Sequence, residues 1–190
     1  MAGKQAKILS ADQIEDLLFF ASNSRYPIRN RVVVLLSVRA GLRAAEIAKL
    51  TWPMVLDASG YIGTSIELHD HAAKRRRGRI MPMHADLRSA LSTLHEGQAD
   101  GRIICSERGG PIEPLSIVVW FNRAFRALGL HGCSSHSGRR TFITRTARLV
   151  PKAGGSLRDV QLLAGHSSIQ TTQRYIDGDS DAQRKLVELL

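Results

Sequence analysis

Val32 to Leu36 form an unbroken apolar run, VVVLL, and no other stretch limits the possible folds as strongly. It lies in a segment of helical character, about Arg29 to Ala40. A helix that is apolar on every side has to be covered by the rest of the chain. Gly41 ends it, in the position after a helix where glycine is commonest. The remaining segments read as that cover. Ser10 to Gln13 has the form of a capping box, so a helix opens there, after the break of residues 1–9. Its Ile14, Leu17, Leu18 and Ala21 recur at helical spacing. Asn23 to Pro27 is a break, and Ala44 to Leu50 is a short third helix.

The middle of the chain changes period. Gly60 to Leu68, with β-branched Ile62, Thr64 and Ile66, reads as a strand. Gly78 to Met83 reads as its hairpin partner. The loop between them, HDHAAKRRR, carries the densest positive charge in the sequence. His84 to His95 is a helix with Leu87, Ala90, Leu91 and Leu94 on one face. Ile103 to Cys105 is extended, Arg108 to Pro111 is a turn, and Leu115 to Leu128 is an amphipathic helix. Further helices follow at Ser137 to Leu149, from the capping box Ser156 to Asp159 up to Gly165, and at Ser168 to Ile176. Pro151 to Gly155 is a loop. Asp179 caps a last helix, 182–190. The expected class is mainly α with a small antiparallel β-sheet (α+β), in one domain.

Charge narrows the partners. The formal net charge is +10, mostly from arginine, whose planar fork matches phosphate oxygens in pairs. DNA, RNA or an anionic membrane surface would each fit, and so would a plain basic structural protein. Aromatic residues are only 5%, which argues against a stacking platform for single strands. Duplex DNA is the better fit. No apolar run approaches the roughly 18 residues of a membrane span. The two cysteines, Cys105 and Cys133, make no disulfide framework, so a cytoplasmic location is expected.

Several residues stand out for chemistry. His136 and Arg139 are placed to share one side of the first turn of a helix, where free N–H groups also favour phosphate. Alone, that pair is as commonly a surface ion pair or a core histidine, and Arg43 alone is a solvated helix start. His69-Asp70-His71 and the set His131, Cys133, His136 lack four ligands at a structural metal spacing.

Taken together the motifs are distinctive. Arg43 and Glu46 stand in GLRAAE. Lys74 precedes Pro82 by eight residues in the basic hairpin. His136 and Arg139 form HxxR. Gly165, His166, Thr171, Thr172 and Tyr175 form GHxxxxTTxxY. This constellation resembles the catalytic domain of the tyrosine recombinases, the phage-integrase family, from residue 10 to about 178. The resemblance implies that Tyr175 attacks a DNA phosphodiester and forms a 3′-phosphotyrosyl bond, for integration, excision or inversion of DNA. Arg43 and Arg139 would hold the non-bridging oxygens, His136 would assist proton transfer, and Lys74 would protonate the departing 5′ oxygen. His166 would donate to the scissile phosphate, and Glu46 would orient these groups. Arg75, Arg76, Arg77, Arg79 and Arg140 are expected to contact DNA. No cofactor, ATP or metal is required.

Members of the family commonly carry a further N-terminal DNA-clamping domain; the pattern here begins about ten residues from the start, so the expectation is either a short member of the family or a part of a longer chain. The expected picture is therefore a flexible basic arm over 1–9 and a helper protein supplying the missing clamp. The protein is expected to be a monomer in solution and a tetramer on DNA, joined by tail helix 179–190 exchanged between protomers. Two rival readings remain: a type IB topoisomerase-like nicking-closing enzyme, and a DNA-binding accessory protein that does not cut.

Overall fold

A computed structural model of the chain describes residues 6–73 and 78–177, with 184, 187, 188 and 190. Among the described residues eight helices and one hairpin follow in the order α1 (Ala11–Ser22), α2 (Pro27–Val38), α3 (Ala44–Lys49), β1 (Ser65–Leu68), β2 (Arg79–Pro82), α4 (Ala85–Leu94), α5 (Pro114–Ala127), α6 (Ser137–Ala153), α7 (Leu157–Ala164) and α8 (Ile169–Asp177). A 3-10 turn, Trp52–Met54, follows α3. The fold is mainly α with a small antiparallel sheet, as the sequence implies.

The apolar run occupies the centre. Asn30 and every residue from Val32 to Val38 are buried, and α2 packs against α1, α3, α4 and α6. The helix starts at Pro27, two residues before the expected point. Proline fits the first helical position because its missing N–H would be unpaired there anyway. The capping box of α1 forms as read: the Ser10 hydroxyl accepts from Gln13 N–H, and the Gln13 side chain accepts from Ser10 N–H.

The sheet is smaller than expected. Ser65 pairs with Pro82, Ile66 with Met81, Glu67 with Ile80 and Leu68 with Arg79. Residues 60–64 do not join the strand, because Asp57 turns the chain first. Its carboxylate accepts from Ser59 and Tyr61 N–H, and Gly60 supplies a φ of 80°. Helix α6 runs past Leu149 through Pro151 and ends at Gly154, φ 66°. Proline in the last turn removes one donor, and the left-handed glycine then stops the helix.

Residues 6–9, expected to belong to a flexible arm, are instead held. Leu9 is buried, and its N–H donates to Thr141 Oγ1 at 2.8 Å. Arg140 and Arg145 donate to the Ala6 and Leu9 carbonyls. With a fourth bond from Lys7 N–H to the Gly132 carbonyl, one apolar side chain plus four hydrogen bonds is enough to fix so short a segment. The hairpin loop residues Lys74, Arg75, Arg76 and Arg77, and most of the expected tail helix, lie outside the described residues. Among the described residues no helix is long and apolar enough to cross a membrane.

Candidate active site

Arg43 stands at the N-terminal end of α3, where Glu46 reaches back to it. Glu46 Oε2 accepts from the Arg43 N–H at 2.9 Å, and Oε1 accepts from the Arg43 guanidinium at 2.9 Å. Both oxygens also accept from Arg79, Nη1 and Nη2 each at 3.2 Å. Glu46 is 1% exposed, and a buried carboxylate is tolerable only when its lone pairs are filled in this way. Burial by itself would raise its pKa. The hydrogen bonds and charge of Arg79, followed by those of Arg43, outweigh it and hold the group at about 2.

Arg139, in the first turn of α6, is 2% exposed. Nη1 donates to the Gly41 carbonyl and Nη2 to the Ala164 carbonyl, both at 2.6 Å. This one guanidinium joins the end of the α2 segment to the end of α7. Burial, then the neighbouring charge of Arg43, lowers its pKa to about 10, so it is cationic at neutral pH. Two glycines allow the approach. Gly41 takes φ 63°, and a Cβ there would lie 2.4 Å from Phe142 of α6. Gly138 sits where α6 meets α2, and a Cβ there would lie 2.2 Å from Ser37 Oγ. The glycine inside HxxR is therefore a packing requirement. Gly138→Ala is expected to destabilise the fold by about 1–3 kcal/mol, with partial recovery on adding Ser37→Ala, measured by denaturant unfolding.

His166 follows Gly165, which ends α7 with φ 63°. Gln161 braces it twice, accepting from His166 N–H and donating to its carbonyl. Nδ1 lies 2.9 Å from Thr172 Oγ1, while Nε2 is buried with no hydrogen-bond partner. The ring stacks on Tyr175, with centroids 5.3 Å apart and planes inclined at 23°. Burial and the charges of Arg139, Arg43 and Arg79 depress its pKa from 6.5 to about 4, so the ring is neutral near pH 7. Tyr175 is half-buried on α8, and its carbonyl accepts from Thr144 of α6. A groove beside it is lined by Ala6, His136, Arg140, Thr171 and Arg174.

Both shifts predict acid lability. His166 is protonated more readily in the unfolded chain, so stability falls as pH drops from 6.5 towards 4. Glu46 contributes stability above its unfolded value of 4.5, lost as pH falls through about 2. Melting temperature against pH should therefore decline in two steps. His166→Gln should remove the upper step alone.

Arg43, Glu46, Arg139, His166 and Tyr175 converge from α3, α6, the α7–α8 turn and α8. His136 occupies the position before the first turn of α6 and lines the groove at its exposed edge. Arg140 reaches the same groove, with one guanidinium nitrogen bound to Ala6. Arg79 departs from its expected place on the DNA face. Its side chain is 8% exposed, bound to Glu46 and to the Leu163 carbonyl at 3.1 Å. The pleat of β2 explains this: Arg79 shares the inner face with buried Met81, while Ile80 is 69% exposed. Reading the residues did not find Arg79 as the partner of Glu46; the alternation of β2 was the available signal. Among the described residues no three His, Cys, Asp or Glu side chains group as metal ligands. His69 and His71 contact each other edge-on at 5.8 Å.

Known proteins share this fold. The model of the phage integrase family matches residues 7–181. Tyrosine recombinase XerC of Rhizobium meliloti (strain 1021) is 33% identical over 158 residues, 80% of this chain and 46% of the relative. The XerA recombinase structure superposes with a TM-score of 0.74 at 22% identity, covering 96% of this chain and 64% of that one. The Tn1549 transposon integrase, in complex with a circular intermediate DNA, superposes with a TM-score of 0.73 at 20% identity, covering 100% of this chain and 67% of that one. The chain spans about half the length of the curated relatives it matches.

Proposed function

This chain belongs to the phage integrase family of tyrosine recombinases, and from that membership we propose that it cuts and rejoins duplex DNA with Tyr175 as nucleophile. The observation that carries the reading is the convergence of Arg43, Arg139 and His166 around Tyr175, from four separate parts of the chain. A net charge of +10 suits a duplex partner, as does the circular intermediate DNA bound by the Tn1549 integrase.

In the proposed step the Tyr175 phenolic oxygen bonds to the scissile phosphorus, and the bond from phosphorus to the 5′ oxygen breaks. The phenolic proton passes to His136, and Lys74 supplies one to the departing 5′ oxygen. Arg43 and Arg139 hold the non-bridging oxygens and offset the charge that grows on them. In the tautomer where Thr172 donates to Nδ1, neutral His166 carries its hydrogen on Nε2, the buried position with no partner, and donates a hydrogen bond to the phosphate. The phosphotyrosyl bond keeps the energy of the phosphodiester, so attack by a 5′-hydroxyl of the same or another strand reverses the step.

The test is a nicked suicide duplex drawn from the DNA flanking the protein's own coding sequence, analysed on a denaturing gel. A covalent protein–DNA band, with label transferred to a second duplex on chasing, is the expected result. Binding without any covalent band would overturn the reading in favour of an accessory DNA-binding role. Relaxation of any supercoiled plasmid without transfer between duplexes would favour a nicking-closing enzyme.

A further inference from the structure

Arg79 ties together as many parts of the site as Arg139 does, yet it has no chemical task assigned. Its two terminal nitrogens grip both oxygens of Glu46, and the same carboxylate holds the Arg43 side chain and main chain. Its Nε donates to the Leu163 carbonyl, one residue before the Ala164 carbonyl that holds Arg139. Its guanidinium also lies flat against Gly165: a Cβ there would sit 2.8 Å from Nη1. Gly165 directly precedes His166. Finally, Arg79 opens β2, the strand that follows the loop containing Lys74. Three segments thus meet on one planar side chain: α3, the end of α7, and the hairpin.

Arginine suits this task in a way lysine does not. Three coplanar donors pointing in two directions are used here, two to a carboxylate and one to a carbonyl. A lysine could reach one acceptor well and would leave the others buried without a donor. Gly165 has a second reason to be glycine besides its left-handed backbone, since any side chain would displace the guanidinium.

We propose that Arg79 is a positioning residue for strand cleavage: it sets the spacing between the Arg43 end of α3 and the His166 turn without touching DNA. This rests on the function proposed above. Arg79 thus works through Glu46 and Gly165. Its effect belongs to the rate of the chemical step and not to DNA affinity.

Arg79→Gln and Arg79→Lys test this against wild type by two independent readouts. The first is single-turnover formation of the covalent band at saturating suicide duplex, alongside DNA affinity as a function of salt. Both variants are expected to cleave on the order of a hundredfold more slowly, with affinity and salt dependence unchanged. A lost affinity with a salt slope reduced by about one, and normal cleavage at saturation, would overturn the proposal and make Arg79 a phosphate contact. Full activity in Arg79→Lys would overturn it as well, since charge alone would then suffice.

The second readout needs no cleavage. The His166 ring is titrated by NMR in the free protein, where Arg139, Arg43, Arg79 and Glu46 are its charged neighbours. In Arg79→Gln the midpoint is expected to rise above about 4, as the turn that buries the ring relaxes and one of the cations that depress it is lost. In Arg79→Lys the His166 and Gly165 resonances are expected to shift as the turn relaxes. An unmoved His166 in both variants overturns the proposal. Should Arg79→Gln fail to fold, Arg79→Lys, which keeps a cation beside Glu46, carries both readouts. If wild type gives no covalent band, the proposed function falls, and the NMR titration still decides whether Arg79 sets the geometry.

Discussion

Tyr175→Phe is expected to abolish covalent capture of DNA, slowing it by a factor on the order of 10³ or more, while DNA binding and melting temperature stay near wild type. The selectivity follows from what the ring does in the fold. It stacks on His166 at 5.3 Å, and the main-chain carbonyl accepts from Thr144; a phenylalanine keeps both. Only the phenolic oxygen is removed, and with it the atom that would bond to phosphorus. The neighbouring cations Arg43 and Arg139 are untouched, so attraction to the phosphate persists. A denaturing gel, a gel shift and a thermal melt on the same two proteins separate these effects. A covalent band of undiminished intensity in Tyr175→Phe would mean that another side chain attacks, and peptide mapping of the adduct would name it.

Glu46→Ala carries the largest expected structural cost, about 3–5 kcal/mol, equivalent to a fall in melting temperature of roughly 10 °C for a domain of this size. Glu46 is the single carboxylate that Arg43 and Arg79 share, and Arg139 feels both its charge and theirs. Removing it leaves like charges packed together, with Arg79 too deep to be rescued by water. Glu46→Gln retains the shape and part of the hydrogen bonding, so it should lose less. It should also flatten the lower limb of the stability–pH profile, because the group that titrates there is gone. Equal stability of wild type and Glu46→Ala, by urea unfolding, would show that the arginines find other partners or water.

The family resemblance picked out the candidate residues, and part of their placement follows from spacing, because helices turn spacing into geometry. His136 and Arg139 share a turn of α6, and the GH…TTxxY stretch is short enough that one tight turn and one helix fix His166 against Tyr175. The buried run of α2, the capping box at Ser10 and the stop at Gly41 are likewise local signals with local consequences. What escaped the sequence depends on contacts between distant segments. Arg79 looks like part of a basic surface run, and only the pleat of β2 turns it inward to meet Glu46, 33 positions away. Residues 6–9 look like a loose end until α6 offers Thr141, Arg140 and Arg145 as partners, more than 130 positions later. Gly138 looks like a weak point in a helix until Ser37 is found against it. Pro151 looks like a helix stop, but one missing donor near the end costs less than ending the helix before the left-handed Gly154 can close it.

The two carbonyls on the Arg139 guanidinium have a consequence for the thermodynamics of the proposed DNA binding. A free arginine side chain loses rotamer freedom worth about 2 kcal/mol when it is frozen. Here that loss is incurred when the domain folds, because Gly41 and Ala164 hold the fork before any phosphate arrives. If Arg139 receives the phosphate as proposed, the phosphate meets a cation with little left to order, and its attraction need not be offset by stiffening the group that receives it.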